Sequence, residues 1–226
     1  MSLTKYIDLG NIEYKEAWDY QEEKFNQLIQ AKIDKKEQEN YLLFCEHPHV
    51  FTLGKSGEEA NFLIQAEFLK QINATYFQTN RGGDITYHGP GQLVGYPILD
   101  LDKFGVALKD YIYKLEEAII KTIADYGIEG HHYKGATGVW LDIDTPHKTR
   151  KICAIGVKAS RFVTMHGFAL NVNTNLNYFT YINPCGFTDK GVTSMEKELG
   201  KKLDFEEVKK KAKFYIAQVF GMELVN

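Results

Sequence analysis

Arg81-Gly82-Gly83-Asp84-Ile85-Thr86-Tyr87-His88-Gly89-Pro90-Gly91-Gln92-Leu93-Val94-Gly95-Tyr96-Pro97-Ile98-Leu99 holds two short β-type runs, residues 84–87 and 93–99, on either side of a Gly-Pro-Gly turn. The second run is apolar and strand-like. Glycines on both sides of the first run let backbone N–H groups approach a ligand closely, with Arg81 and His88 as polar groups at its ends. On the residues alone, a tight hairpin whose glycines only supply positive φ explains the cluster equally well. A phosphate-binding P-loop is excluded nearby: Gly54-Lys55-Ser56 has the closing letters of that motif, but His49 stands where its first glycine belongs.

Outward from this segment, further β-type runs lie at residues 41–45, 50–53, 75–78, 138–143, 152–159 and 168–172, rich in β-branched and aromatic residues and divided by Gly, Pro, Asn or Asp. Three helices are predicted. The first covers about residues 16–36, with Trp18, Phe25, Leu28, Ile29 and Ile33 as an irregular apolar stripe; the second covers about 106–126, with Leu108, Tyr111, Ile112, Leu115, Ile119 and Ile123 in helical spacing and Gly127 as its stop. The third starts at Asp204, which can cap with Glu207 three residues on, and turns Phe205, Val208, Ala212, Ile216 and Val219 inward. Strands come in blocks with few helices between them. The fold class is therefore α+β, with mixed, largely antiparallel sheets flanked by helices rather than a regular βαβ alternation.

A length of 226 residues suits one large domain or two small ones at roughly 150 residues each. No repeat or linker divides the chain, so one domain over 1–226 is expected. Hydrophobic residues at 44% and charged residues at 25% are ordinary globular values and exclude a disordered or collagen-like chain. A net charge of −3 lacks the basic excess of a general nucleic-acid binder. With no apolar run of about 18 residues and no signal-peptide order at Met1-Ser2-Leu3-Thr4-Lys5, a cytoplasmic protein with no membrane partner is expected. Cys45, Cys153 and Cys185 are too few and too scattered for a disulfide framework or a zinc site.

The chain resembles the lipoyl(octanoyl) transferases. Their signature of Arg-Gly-Gly, two variable residues, Thr, an aromatic, His, Gly-Pro-Gly-Gln and a later Tyr is matched from Arg81 to Tyr96. The resemblance extends through Glu46-His47-Pro48-His49-Val50-Phe51-Thr52-Leu53-Gly54, Gly138-Val139-Trp140, Lys151-Ile152-Cys153-Ala154-Ile155-Gly156, His166-Gly167-Phe168-Ala169-Leu170-Asn171 and Asn183-Pro184-Cys185-Gly186, in the family's order. It implies the fold of the lipoate and biotin protein ligase catalytic domains. It also implies transfer of an octanoyl group from octanoyl-acyl carrier protein to one lysine of an apo lipoyl domain. The acceptors would be 2-oxoacid dehydrogenase complexes and the glycine-cleavage H protein; no cofactor is called for.

By the same resemblance, Cys185 matches the acyl-accepting nucleophile and Lys151 its general acid/base. Read without it, Cys185 is a loop thiol in a Pro-stiffened turn and Lys151 a solvated strand-end charge. The chemistry suits the pair. A thiol of pKa about 8.5 is only slightly ionised at neutral pH, so a nearby ammonium raises its reactive fraction, while partial desolvation favours the lysine's neutral form. The family's acyl pocket carries over to Arg81, Gly82, Gly83, Asp84, Ile85, Thr86, Tyr87 and His88, to Ala154, Ile155 and Gly156, and to Gly167, Phe168 and Ala169. Small residues there suit a narrow apolar slot for a straight eight-carbon chain.

His47, His49, His131 and His132 complete no ligand set, and no metal is expected. His88 and His166 are better placed for site work, as loop-fixing or proton-handling groups. Lys209-Lys210-Lys211-Ala212-Lys213 reads as a solvated helix face, or as a docking strip for an acidic carrier protein. Two other functions remain open from the residues: an ATP-dependent lipoate ligase, which would not need the Pro-Cys-Gly thiol, and a non-catalytic module that binds acyl chains or lipoyl domains.

Overall fold

The structure, a computed structural model, describes residues 2–145, 147–183 and 190–225. Its strands are β1 (Ser2–Asn11), β2 (Asn40–Glu46), β3 (Val50–Leu53), β4 (Thr75–Gln78), β5 (Thr86–His88), β6 (Gln92–Ile98), β7 (His131–His132), β8 (Val139–Leu141), β9 (Arg150–Ser160), β10 (Val163–Asn171), β11 (Gly191–Val192) and β12 (Met222–Val225). Its helices are α1 (Tyr14–Ile33), α2 (Ala66–Gln71), α3 (Leu101–Phe104), α4 (Leu108–Ala124), α5 (Met195–Leu199) and α6 (Phe205–Phe220). The main sheet runs β12-β1-β2-β6-β10-β9-β8-β7, with β11 beside β9; a smaller sheet runs β4-β3-β5. The consecutive pairs from β2 to β7 are antiparallel, whereas β1 pairs in parallel with β2 and β12, β11 with β9 and β3 with β4. The α+β class with mixed, largely antiparallel sheets is what the strand blocks predict.

Alternation divides the core. In β2, Leu42 and Phe44 join Tyr111, Leu115, Ile119 and Ile216 beneath α4 and α6, while Tyr41, Leu43 and Cys45 join Ala17, Phe25 and Leu28 of α1 on the opposite face. Both faces of β2, β6 and β10 are covered, which explains their near-continuous apolar runs. A third cluster, including Phe51, Leu53, Ile85 and Tyr87, fills the small sheet.

The three predicted helices form with ends shifted by a few residues. Asp204 caps α6 as expected, its carboxylate accepting from the backbone N–H groups of Glu206 and Glu207. The lysine run on α6 is not a wholly solvated face. Lys209 is buried, with Nζ 2.7 Å from Asp8 of β1 and 2.6 Å from Glu206; Lys211 pairs with Asp125 and Lys213 lies over the Tyr6 ring. These three lysines tie α6 to its neighbours, while Lys210 is exposed.

Candidate active site

The glycine-rich segment crosses between the two sheets. Arg81 is buried and braces it: Nη2 donates to the carbonyls of Thr52 (2.6 Å) and Asp84 (2.7 Å), and Nη1 to that of Gly82 (3.0 Å). Backbone N–H groups of Gly54, Lys55 and Ser56 donate to the carbonyls of Asp84, Arg81 and Gly83, so the false P-loop letters are a turn that staples this segment. On the other side, Gly82 N–H donates to Val157 O (2.9 Å), beyond the stretch of β9 that pairs with β8. A Cβ on Gly156 would lie 2.8 Å from Gly82 O, so only glycine permits this approach.

Between this segment, β6, β9 and β10 lies a cavity of about 500 Å3. Arg81, Gly82, Gly83, Asp84, Ile85, Thr86 and His88 line it, together with Ala154, Ile155, Gly156, Gly167, Phe168 and Ala169, and Lys151 stands in the same wall. Tyr87 departs from the expectation. Strand alternation turns it into the small-sheet core, where its ring stacks on Tyr178 (4.9 Å) and its hydroxyl lies 2.7 Å from His49 Nδ1. Cys185, with Pro184 and Gly186, lies outside the described residues.

Lys151 reaches the cavity through an irregularity in the sheet. Lys151 and Ala154 are an odd number of residues apart and would face opposite sides of a regular strand. The β8–β9 register shifts between Val139, opposite Cys153, and Trp140, opposite Lys151. Ile152 and Cys153 consequently share one buried cluster, while Lys151 and Ala154 both line the cavity. Lys151 Nζ sits 4.6 Å from the centroid of the Trp140 ring, a favourable cation–π distance. Trp140 is in turn fixed by its Nε1–H donating to Ala136 O (2.9 Å).

The histidines separate by environment. His88 is buried, stacks on Tyr14 and holds Gln92 Oε1 at 2.8 Å from Nδ1; burial lowers its pKa to about 3. His166 has φ +59, which turns its ring toward Trp18 and Asn80, with Nε2 2.8 Å from Asn80 Oδ1; burial lowers its pKa to about 3. His47 bonds Ile12 O and the Tyr96 hydroxyl, and burial lowers it to about 4. Among the described residues, no group of three or more His, Cys, Asp or Glu is set to hold a metal ion. Also among them, no helix is long and apolar enough to cross a membrane. Cys45 and Cys153 are buried, and burial pushes both thiols up, away from the reactive thiolate form.

Several lining residues escaped the sequence reading. Tyr14 comes from the first turn of α1, Leu108 and Ile112 from α4, and Gly135, Ala136 and Thr137 from the loop before β8. They carry no local motif; their place is set by which helix packs on which face.

Comparison with known proteins fits this geometry. Residues 13–217 match the family model of the lipoyl protein ligase A/B catalytic domain. The chain is 53% identical over 221 residues to an octanoyltransferase of Parabacteroides distasonis, covering 98% of this chain and 100% of the relative. It is 58% identical over 200 residues to an octanoyltransferase of Bacteroides fragilis, covering 88% and 90%. Among solved structures, the fold is similar to a bipartite lipoate protein ligase of Thermoplasma acidophilum, with a TM-score of 0.70 at 12% identity, covering 100% of this chain and 86% of that one. It is similar also to a biotin protein ligase of Aquifex aeolicus, with a TM-score of 0.51 at 13% identity, covering 96% and 69%. With a family model matched along most of its length and relatives more than half identical to it, this chain belongs to the lipoyl protein ligase A/B catalytic domain family.

Proposed function

We infer that this protein is an octanoyltransferase, an acyltransferase that moves an octanoyl group onto lipoyl domains. The observation that carries the reading is identity above 50% to octanoyltransferases over nearly the whole chain. The cavity adds support: a slot walled by Ala154, Gly156, Gly167 and Ala169, with a lysine in its wall, suits an unbranched acyl chain whose reacting end meets a base. The donor is octanoyl-acyl carrier protein. The acceptors are the apo lipoyl domains of 2-oxoacid dehydrogenase complexes and the glycine-cleavage H protein.

In the proposed mechanism, neutral Lys151 takes the proton of the Cys185 thiol, and the thiolate attacks the carbonyl carbon of the donor thioester. The tetrahedral intermediate collapses, its C–S bond to the carrier breaks, and the departing thiolate takes the proton back from Lys151. The octanoyl-Cys185 thioester is then attacked by the lipoyl-domain lysine. Lys151 removes the amine proton, the new amide forms, and the Cys185 thiolate leaves and is reprotonated. An amide is more stable than a thioester, so the transfer runs without ATP. The two other cysteines, buried and with raised pKa, are poor competitors for the nucleophile's role.

The test is intact mass spectrometry of wild type and Cys185→Ser with octanoyl-loaded carrier protein and no ATP, followed by apo lipoyl domain. One octanoyl adduct is expected on the wild type alone, then chased onto the domain lysine. Domain modification only when ATP and free octanoate are supplied would make the protein a ligase. No modification under either condition would make it a binding module.

A further inference from the structure

Glu116, on α4, is a buried carboxylate outside the cavity lining. Its two oxygens hold two segments of chain. Oε1 accepts from the backbone N–H of Gly138 at 2.8 Å, and Oε2 accepts from His132 Nδ1 at 2.7 Å. His132 lies on β7 opposite Val139 of β8, and its ring is stacked on Tyr113 of α4 at 4.1 Å. Gly138 immediately precedes the register irregularity that aims Lys151. It has φ +126, and a Cβ there would lie 2.5 Å from Cys153 O and 3.4 Å from Lys151 Cε.

We propose that Glu116 is a positioning residue for Lys151, clamping Gly138 and His132 to α4 so that the β8–β9 irregularity turns the lysine into the acyl cavity. The proposal rests on the octanoyl-transfer reading above. A buried carboxylate is costly unless hydrogen-bonded, and here both oxygens are engaged, one by His132 on β7 and one by Gly138 immediately before β8. That strand carries Trp140, whose ring the Lys151 ammonium faces, and the preceding loop supplies Gly135, Ala136 and Thr137 to the cavity rim. Without the acceptor, the Gly138 N–H loses its partner, and the irregular register loses the bond that holds it at its start. The lysine's alignment is then lost while the acyl slot along β9 and β10 stays intact.

The experiment compares Glu116→Ala, Glu116→Gln and Glu116→Asp in a Trp18→Phe background, where Trp140 is the only tryptophan. Trp140 emission is read alongside steady-state octanoyl transfer. For Glu116→Ala we expect kcat to fall about tenfold or more, KM for the octanoyl donor to stay within about twofold, and Trp140 emission to shift to longer wavelength. Glu116→Gln, whose amide oxygen still accepts from Gly138, should recover kcat to within about threefold and restore the emission. If Glu116→Ala does not fold, Glu116→Asp, too short to reach both partners, takes its place with the same expectation. Unchanged kcat and emission in Ala or Asp would overturn the proposal. So would Glu116→Gln with wild-type emission and a kcat as low as Ala's, because the charge would then act rather than the clamp. Loss of transfer in the parent protein would instead overturn the functional reading, and Trp140 emission would still test the clamp.

Discussion

Tyr87 and His88 are neighbours on β5, and their side chains face opposite sides of the small sheet. The His88 ring faces the cavity and stacks on Tyr14, whereas the Tyr87 ring stacks on Tyr178, which also stacks on His49. The difference is one step of strand alternation, which a motif read as a continuous block does not resolve. Tyr87→Phe keeps the ring and removes only the hydroxyl that meets His49. We expect it to lower stability by about 1 kcal/mol and to leave KM for the octanoyl donor within about twofold. A several-fold rise in KM with unchanged thermal stability would return Tyr87 to the acyl pocket. Arg81 makes the same point in another way: its guanidinium bonds three carbonyls of its own surroundings and holds the glycine turn in shape.

At the scale of elements, β9 links the site to its support. Beside Lys151, Arg150 reaches Glu198 of α5 with Nε at 2.7 Å and Nη2 at 2.6 Å, and also bonds Asp142 in the turn after β8. The adjacent strand β11 pairs with Arg150 and Lys151, and Thr193 N–H donates to Lys151 O. Arg150→Ala should cost about 1–2 kcal/mol, because a two-point charge-assisted contact is lost while partial exposure screens the remainder. Chemical denaturation checks this; an unmoved midpoint would mean that α5 is held by packing alone. The sequence reading found β3 and β4 to the residue but missed β1, β7, β11 and β12. In β1 the apolar letters mislead, since Leu3 is exposed and Thr4 fully buried, and β7 and β11 are too short for any periodicity.

Across the whole molecule, His47, His88 and His166 lie where α1 meets the main sheet and the glycine-rich segment, all buried with folded pKa values of about 4, 3 and 3. Burial disfavours the charged imidazolium, and Arg81 adds to the effect at His88 and His166. Unfolded, each would titrate near pH 6.5. Between about pH 6.5 and 4 the unfolded chain therefore binds more protons than the folded one, so stability rises with pH in this window and falls on acidification. Each group contributes a slope of up to about 1.4 kcal/mol per pH unit. Urea midpoints at about pH 7, 6 and 5 should drop in that order. Equal midpoints would mean that these rings are protonated, or reached by solvent, in the native state.

The glycine-rich signature, the alternation of the apolar runs and the capped amphipathic helices were sufficient to give the α+β class and most of the central strands, whereas the residues proposed for the acyl slot follow from the resemblance alone. Each is a local property, written in adjacent letters. Which side chains share the slot is not local. Lys151 and Ala154 line one wall because a partner strand slips register opposite Ile152, and Tyr14 closes the cavity because α1 packs against β6 and β10. Glu116, 22 residues before Gly138 and 35 before Lys151, carries no signal in any motif. Its function follows from a hydrogen bond between a helix and a strand that meet only once the sheet has closed over its core.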